Sequence, residues 1–366
     1  MLALWAGAAW PVLADTLRVA TYSPDLSRAG PGLLLRDIAS GKDKQVEAVA
    51  DVIAAADADV ILLTGFDWDF GGAALAAFEA RLAARGAPYA YRFALRPNTG
   101  MATGLDLDGN GRLGEARDAQ GYGRFSGQGG MAVLSRLPIE AASARDLSAL
   151  LWRDLPGNLL AGAGLSPEVE AVQRLSTTGH WDLPLRLPDG RALHLWAYAA
   201  TPPVFDGPKD RNGRRNHDEA ALWLRYHEGV LPPAPSPEAP FIVLGDANLD
   251  PADGADDGSP NRVQALAALL AHPALQDPAP RSTGAAQAAA TQGGANAAQH
   301  GDPALDTADW PDDPGPGNRR VDYVLPDARL TVTSAGVLWP TPGDPLETAV
   351  QAASRHRLVW VDIALP

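Results

Sequence analysis

The run D-V-I-L-L (Asp59–Leu63) decides the fold, because it is continuously apolar after its first residue. A short run of this kind is typical of a β-strand that is buried on both faces. Upstream, K-Q-V-E-A-V-A-D-V-I-A-A-A (Lys44–Ala56) carries apolar residues at helical spacing, and T-L-R-V-A-T (Thr16–Thr21) alternates as a half-buried strand does. A strand, a helix and a buried strand in this order predict the opening unit of an α/β fold.

Similar patterns recur along the rest of the chain. They predict further strands at Met131–Ser135, Ala192–Tyr198, Phe241–Leu244, Arg320–Leu325, Leu330–Leu338 and Leu358–Ile363, and a helix at His217–His227. The segment Ala279–Pro316 is rich in Gly, Pro, Asp and Ala and lacks apolar periodicity, so ordered surface loops are predicted there. Within it, Ala285–Ala298 contains glycines and is interpreted as loop rather than helix.

The composition is that of a globular protein with a large core, since 46% of the 366 residues are hydrophobic. The length favours two domains of usual size, but large sheet-based folds often exceed that size, so one large domain and two smaller ones both remain open. The formal net charge of −14 disfavours nucleic acid as a partner, because DNA-binding surfaces neutralise phosphates with Lys and Arg. The chain has no cysteine, which excludes disulfides and thiolate metal sites.

The N-terminus is a short apolar run, M-L-A-L-W-A-G-A-A-W-P-V-L-A (Met1–Ala14), which ends in residues that a signal peptidase accepts. It is too short to span a bilayer, so residues 1–14 are predicted to be a signal peptide of a secreted or periplasmic protein. The alternative is a buried N-terminal segment. Asp, Arg or Gly interrupts every other apolar run, so no membrane span is predicted.

Polar residues cluster at the ends of predicted strands, where α/β proteins place catalytic groups. The four segments are Ala20–Ser23, Gly245–Asn248, Arg320–Tyr323 and Ser354–His356. Asp246 and Asn248 stand two residues apart after F-I-V-L, so both face one pocket if the strand continues. A carboxylate can orient water or accept its proton, and an amide can donate to a phosphoryl oxygen.

In this order and spacing, these segments resemble the endonuclease/exonuclease/phosphatase family, and the resemblance runs from Leu17 to Ile363. The resemblance implies a single domain over residues 15–366 with an α/β (α+β) fold of the DNase I type, a four-layered sandwich of two mixed β-sheets flanked by helices. It also implies hydrolysis of phosphate esters with Mg or Mn. Three further segments resemble a secreted bacterial branch of the family, namely Asn98–Gly111, Ser176–Pro184 and Thr201–Glu219.

The resemblance implies roles for four residues. Asp246 would align the attacking water, and Asn248 would contact the phosphoryl group. His356, hydrogen-bonded to Asp322, would hold a phosphate oxygen or stabilise its developing charge. A carboxylate beside an imidazole raises the basicity of the histidine and fixes its orientation.

Other positions depart from the family's pattern, and they lie on the metal-facing side. Ser23 replaces Asn, Gly65 replaces a metal-binding Glu, Ala199 replaces His, and Arg355 replaces Asp. Mg²⁺ is usually anchored by one or two carboxylates, which Gly65 lacks. Two unit charges ~4 Å apart interact by ~4 kcal/mol at an effective dielectric near 20, so an inward Arg355 and a dication exclude each other. Loss of the family metal site is therefore predicted.

Two hypotheses remain open. In the first, Arg355 takes the place of the metal in a metal-independent phosphoesterase, since a guanidinium can clamp phosphoryl oxygens. In the second, catalysis is lost and a binding or remnant protein persists. Asp67 and Asp69 either reach a displaced metal or are solvated loop carboxylates. The remnant of the second hypothesis either binds phosphate or is purely structural, and the ligand, if one exists, is expected to be a small phosphorylated molecule.

The stretch D-L-D-G-N-G (Asp106–Gly111) matches the first half of a calcium loop, with oxygens on Asp106, Asp108 and Asn110. Position twelve of such a loop supplies a bidentate Glu, but here it is Arg117. A structural Ca²⁺ and an Asx-rich turn both remain open.

The run D-R-N-G-R-R-N-H-D-E (Asp210–Glu219) is dense in hydrogen-bond donors. Arg214 and Arg215 could bind a phosphorylated substrate, since guanidinium groups match phosphate geometry. Alternatively, Asn216 or Asp218 caps the following helix while the two arginines pair with nearby acids. His180 is a further candidate donor to the substrate.

Overall fold

The computed structural model describes residues 16–205, 207–231, 239–254 and 262–365. The predicted signal peptide at residues 1–14 lies outside these ranges and remains a prediction. The strands are β1 (Thr16–Tyr22), β2 (Val60–Phe66), β3 (Tyr91–Phe93), β4 (Gly130–Ser135), β5 (Arg145–Asp146), β6 (Gly179–Arg186), β7 (Ala192–Ala199), β8 (Phe241–Asp246), β9 (Ala308–Asp309), β10 (Asn318–Arg319), β11 (Asp322–Pro326), β12 (Val332–Leu338) and β13 (Leu358–Ala364). The α-helices are α1 (Leu33–Ser40), α2 (Lys44–Ala56), α3 (Ala73–Ala83), α4 (Pro167–Glu170), α5 (Arg211–His227), α6 (Gln264–Leu270), α7 (Thr283–Gln292) and α8 (Glu347–Ala353).

Two sheets form the body of the fold. The first has six strands in the order β12-β13-β1-β2-β4-β3, and the second has five in the order β11-β8-β7-β6-β5. In each sheet one central pair is parallel, β1 with β2 and β7 with β8, and the other described pairs are antiparallel. The prediction of two mixed sheets in an α/β fold is confirmed.

The two sheets pack face to face, with helices on both outer surfaces. Alternate residues of the central strands form the inner core, among them Val19, Leu62, Leu195, Leu244 and Val361. Helices α2, α3 and α8 cover the outer face of the first sheet, and α5 and α6 cover that of the second. Apolar burial of this kind contributes most of the stability of such a fold. Among the described residues, no helix is both long and apolar enough to cross a bilayer.

The strand directions bring the polar segments to one edge of the sandwich. Strands β1 and β2 end at the same edge of the first sheet, and β13, antiparallel to β1, begins there. In the second sheet β7 and β8 end together, and β11, antiparallel to β8, begins beside them. The loops that leave this edge therefore carry the candidate functional residues.

The interpretation of Ala285–Ala298 as loop is wrong for its first half, which lies in helix α7. The hydroxyl of Ser282 accepts hydrogen bonds from the backbone N–H groups of Gly284 and Ala285, which caps the helix. Alanine then favours the helix that follows. A Cβ on Gly284 would lie 2.1 Å from the carbonyl oxygen of Trp339, so a close packing contact explains this glycine.

The run Asp210–Glu219 is not a loop before a helix, because α5 already begins at Arg211. The proposed caps are instead buried side chains in the first half of α5. Asn216 donates to two backbone carbonyls of neighbouring loops, and Asp218 accepts from the indole Nε1 of Trp152 at 2.6 Å. The capping interpretation is therefore wrong.

Candidate functional site

Three of the predicted residues meet at the common edge. Asp246 is the last residue of β8, Asp322 is the first of β11, and the two are paired across the strands. His356 precedes β13 and forms a β-bridge with Ala308. One ligand atom from each of Asp246, Asp322 and His356 lies within 4.8 Å of the others. These three side chains, the acid–imidazole cluster, are the centre of the candidate site.

The imidazole of His356 is positioned by the carboxylate of Asp322, and Thr307 in turn positions that carboxylate. Nδ1 of His356 lies 2.9 Å from Oδ2 of Asp322. The hydroxyl of Thr307 donates to the same oxygen at 3.0 Å and accepts the backbone N–H groups of Val321 and Asp322 at 2.9 and 3.0 Å. Thr307 was missed by the sequence interpretation, because it lies in a segment without periodicity. Its role depends on contacts distant in sequence.

The charges of the cluster depend on each other. Burial opposes a charged imidazole, but the carboxylates of Asp322 and Asp246 outweigh it and raise the pKa of His356 to about 9. Burial, with a further contribution from Asp322, raises the pKa of Asp246 to about 7. At neutral pH the imidazole is therefore charged, while Asp246 exchanges a proton. Oδ1 of Asp322 is buried and has no hydrogen-bond partner among the described residues.

Asn248 lies beside the cluster for a different reason from the one expected. The strand does not continue to Asn248, because β8 ends at Asp246 and Asn248 has a positive φ of 51°. Instead, Oδ1 of Asp246 accepts the backbone N–H of Asn248 at 2.8 Å, which closes a turn. The Asn248 amide donates to the carbonyl of Ala200 at 2.9 Å. Ala199, which replaces the family's His, is paired with Asp246 across the sheet.

Ser23 and Gly65 face each other on the other side of the site. A Cβ added to Gly65 would lie 3.7 Å from Oγ of Ser23 and 3.7 Å from Cα of Asp25, so there is room for a side chain. The φ of Gly65 is 65°, within an irregularity of the pairing between β2 and β4. This left-handed conformation favours glycine, which explains the residue independently of the metal.

Arg355 is exposed, and its side chain has no described hydrogen-bond or ion-pair partner among the residues that the structure covers. Its carbonyl accepts the backbone N–H of Asp309 at 2.9 Å. The next basic residue, Arg357, is buried and pairs with Asp309 at 2.8 Å. Asp309 and Arg357 line a cavity of about 370 Å³ between α7 and α8, behind the cluster rather than at it.

Asp67 and Asp69 both bind backbone groups, and Asp67 is buried rather than a solvated loop carboxylate. Asp67 is 5% exposed and accepts the N–H groups of Arg28 and Gly129, both at 2.8 Å. Burial raises the pKa of Asp67. Asp69 accepts N–H groups at the start of α3. These contacts explain both carboxylates without a displaced metal.

His180 is not brought to the cluster. It is fully buried, and burial lowers its pKa to about 3, so the ring is neutral. Nδ1 lies 2.6 Å from the hydroxyl of Ser176, and Nε2 lies 3.0 Å from the carbonyl oxygen of Glu219. A substrate in solution cannot reach a ring buried in this way.

Arg215 is also occupied elsewhere, because its buried guanidinium donates to four backbone carbonyls, those of Gln120, Arg174, Leu175 and Ser176. The residue is 7% exposed, and burial lowers its pKa to about 10. Arg214 is partly exposed and donates to the carbonyl of Lys209 at 3.2 Å. The positions of Arg214, Arg215 and His180 therefore do not support the predicted contacts of these residues with a substrate.

The residues present fit a divalent cation at the acid–imidazole cluster better than at Gly65. The cluster offers the two carboxylates of Asp246 and Asp322, and the buried Oδ1 of Asp322 lacks a donor among the described groups. Carboxylate ligands suit Mg²⁺ or Mn²⁺. Gly65 and Ser23 offer no carboxylate.

In the predicted calcium loop, the structure brings together a set of acids that differs from the predicted ligands in one residue. Asp106, Asp108 and Asp118 bring carboxylate oxygens within 4.8 Å of each other, whereas the amide of Asn110 donates to Glu115 at 2.6 Å. Asp106 accepts three backbone N–H groups of its own turn. Because an Asx-rich turn explains these contacts, Ca²⁺ binding stays a prediction.

Replacement of Arg117 by Glu should increase the affinity of this loop for Ca²⁺ by roughly tenfold or more, because it supplies the missing bidentate carboxylate. It also removes the ion pair of Arg117 with Asp108, at 2.9 Å. Calorimetric titration measures the affinity, and Arg117→Gln is the control that removes only the cation. Equal isotherms for the Glu and Gln variants would contradict the prediction.

Replacement of Asp306 by Asn should stabilise the protein by ~3 kcal/mol at pH 8 and by much less at pH 4. Asp306 is 1% exposed, and burial raises its pKa from 3.8 to about 7. Wild-type stability therefore falls as the pH rises from 3.8 through about 7, where the buried carboxylate ionises. The Asn amide also offers a donor to Oε1 of Gln299, which has no hydrogen-bond partner among the residues that the structure describes. Urea unfolding at both pH values tests this, and an equal change at both would contradict it.

Comparison with known proteins places this geometry in a family. An endonuclease/exonuclease/phosphatase from Beutenbergia cavernae DSM 12333 has a TM-score of 0.55 at 19% identity, and the match covers 96% of this chain and 72% of that one. A family protein from Leptotrichia buccalis C-1013-b has a TM-score of 0.51 at 13% identity, covering 95% of this chain and 100% of that one. Identities this low show the fold alone. No curated protein sequence matches significantly.

The sequence itself matches the model of the Endonuclease/Exonuclease/phosphatase family over residues 34–356. This range includes the whole acid–imidazole cluster and the substituted position Gly65. Because the match spans most of the 366 residues, the chain belongs to the endonuclease/exonuclease/phosphatase family and has its DNase I-like phosphoesterase fold.

Proposed function

We propose that this chain binds small phosphate esters at the acid–imidazole cluster and has lost the family's metal position at Gly65, so that hydrolysis is weak or absent. The observation that carries the proposal is the contrast between the two sides of the site. On one side Thr307, Asp322 and His356 form a connected network of hydrogen bonds. On the other side Gly65 and Ser23 face each other and themselves supply no carboxylate, although the exposed Asp25 lies beside Gly65 and its charge acts on His356.

The residues of the cluster suit the recognition of a phosphoryl group. Nδ1 of His356 is engaged by Asp322, which leaves Nε2 of the charged ring to donate to a phosphate oxygen. Asp246, with a pKa of about 7, can accept a proton from a water molecule at neutral pH. A divalent cation bound to the carboxylates of Asp246 and Asp322 would supply positive charge for the phosphoryl oxygens, while Nε2 of His356 stays available to donate.

A second candidate function is metal-independent phosphoester hydrolysis that uses Arg355. The observation in its favour is that Arg355 directly precedes His356 in the chain and is exposed. Its guanidinium has no side-chain partner among the described groups. A free guanidinium can turn toward a phosphate and bind two of its oxygens. Loss of a Lewis acid removes several kcal/mol of transition-state stabilisation, however, and one guanidinium rarely replaces it.

The localisation of the protein and the class of its ligand are also part of the proposal. The apolar residues 1–14 support export, and hence membership of a secreted bacterial branch of the family. The net charge of −14 supports a small phosphorylated molecule, rather than nucleic acid, as the ligand.

Calorimetry with inorganic phosphate, glycerol phosphate and a small diester tests the binding proposal, with EDTA in one series and Mg²⁺ or Mn²⁺ in another. We expect binding in both series for wild type and at least tenfold weaker binding for His356→Ala. Hydrolysis of the same esters is measured in parallel. If EDTA abolishes turnover, the proposed loss of the metal is overturned. If turnover persists in EDTA but is lost in Arg355→Ala, the second candidate function is favoured. If no ligand binds in either series, the proposal itself is overturned.

A further inference from the structure

Trp310 is an aromatic residue next to the cluster, and it was not singled out from the sequence. Its ring lies with its centroid 5.5 Å from that of His356, at an interplanar angle of 89°. Trp310 is partly exposed, whereas Trp152, Trp181, Trp196 and Trp223 are 2% exposed or less. Trp310 thus differs from the tryptophans that fill the core.

The backbone fixes Trp310 relative to His356. The segment before it runs alongside the segment that carries His356: the N–H of Asp309 donates to the carbonyl of Arg355 at 2.9 Å, and the N–H of Arg357 donates to the carbonyl of Thr307 at 2.6 Å. The segment that holds Asp322 through Thr307 therefore also presents the indole of Trp310.

A purely structural role does not account for the exposed part of the indole. An aromatic ring that only shielded the ion pair of His356 and Asp322 from water would stabilise it best when fully buried. An exposed indole surface beside a charged imidazole is instead suited to contact a molecule that brings an anionic group and a ring together. Indole faces bind planar and sugar rings by stacking and apolar contact.

We propose that Trp310 is a specificity-determining residue that binds the ring of the ester's alcohol group, so that the preferred ligands are phosphate monoesters of ring-bearing alcohols. This inference rests on the proposed function of the acid–imidazole cluster. The phosphate contacts His356, and the ring contacts the exposed indole. A ring-free ester such as glycerol phosphate gains nothing from Trp310.

The test compares the affinities of inorganic phosphate, glycerol phosphate, phenyl phosphate and a hexose phosphate for wild type, Trp310→Phe and Trp310→Ala. We expect wild type to bind at least one of the two ring esters roughly tenfold more tightly than glycerol phosphate. Trp310→Ala should lose that preference and keep its affinity for inorganic phosphate, and Trp310→Phe should keep much of it. The two ring esters distinguish aromatic from sugar rings.

Tryptophan fluorescence supplies a second readout that does not depend on catalysis. Ring esters should change the emission of wild type and of Trp360→Phe, a control at a tryptophan that stacks with Arg18 away from the cluster. The change should be absent in Trp310→Phe. Phosphate binding without ring preference, or an equal loss of all ligands in folded Trp310→Ala, would overturn this inference alone. Absence of phosphate binding in wild type would overturn it together with the proposed function.

Discussion

In Asp322→Asn, the pKa of His356 is expected to fall from about 9 to below 7. Burial by itself opposes the charged imidazole, and the carboxylate of Asp322 is the largest of the contributions that raise the pKa. An amide keeps the shape of the side chain and the hydrogen bond to Thr307 but removes the charge. Proton NMR of the imidazole C–H signals between pH 5 and 10 measures the change.

The affinity for phosphate at pH 7.5 should fall at least tenfold in Asp322→Asn, because His356 is then neutral and loses a charge-assisted hydrogen bond. At pH 5.5 the variant recovers part of this affinity, whereas wild type loses affinity only above pH 9, where its imidazole deprotonates. Thr307→Ser is the matched control, because it keeps the hydroxyl that donates to Asp322. An unchanged pKa of His356 in Asp322→Asn would show that Asp322 does not control this imidazole.

The ion pair of His356 and Asp322 also contributes to the stability of the folded protein in a defined pH range. The folded pKa of His356 is raised above its ordinary value of 6.5, so the stabilisation is fully present below pH 6.5 and is lost as the pH rises through about 9. Wild type should therefore lose stability between these values, and Asp322→Asn should lose much less. Urea denaturation at pH 6 and pH 9.5 compares the two.

Residues that follow a strong local pattern were predictable from the sequence. Asp246, Asp322 and His356 each stand at the end or start of an apolar strand, and strand direction brings such positions to one edge. Gly65 could be assigned by its place in β2, but its positive φ could not. The sequence therefore located the cluster and the substitutions without showing the backbone constraint at Gly65.

Residues whose place depends on distant contacts were not predictable. Thr307 and Trp310 lie in a segment without periodicity, and their positions follow from its pairing with residues 355–357. Arg215 was misinterpreted for a similar reason, since its four carbonyl partners come from two other loops. Local patterns report burial along an element, whereas these roles are created by tertiary contacts.

The double replacement Gly65→Glu with Arg355→Asp should restore Mg²⁺-dependent hydrolysis, by about a hundredfold or more over wild type. Both changes return an acid to the metal-facing side, and Mg²⁺ is usually anchored by one or two carboxylates. A Cβ at Gly65 meets only ordinary contacts at 3.7 Å from Ser23 and Asp25, so the first atom of the new side chain is accommodated. Hydrolysis of a small ester with Mg²⁺ and with EDTA measures the gain.

The φ of 65° at Gly65 makes this restoration destabilising, because an L-residue in the left-handed region lowers the stability of the folded state by ~1–2 kcal/mol. Gly65→Ala with Arg355→Asp carries the same strain without the new carboxylate at Gly65, so it separates instability from metal binding. If both double variants show equal activity with Mg²⁺, the carboxylate at Gly65 is not what the site lacks. If only the Glu variant gains activity and EDTA removes the gain, the loss of an acid at Gly65 accounts for the loss of the metal. Backbone geometry then explains why this loss persists: the pairing of β2 with β4 now favours a glycine where the family places an acid.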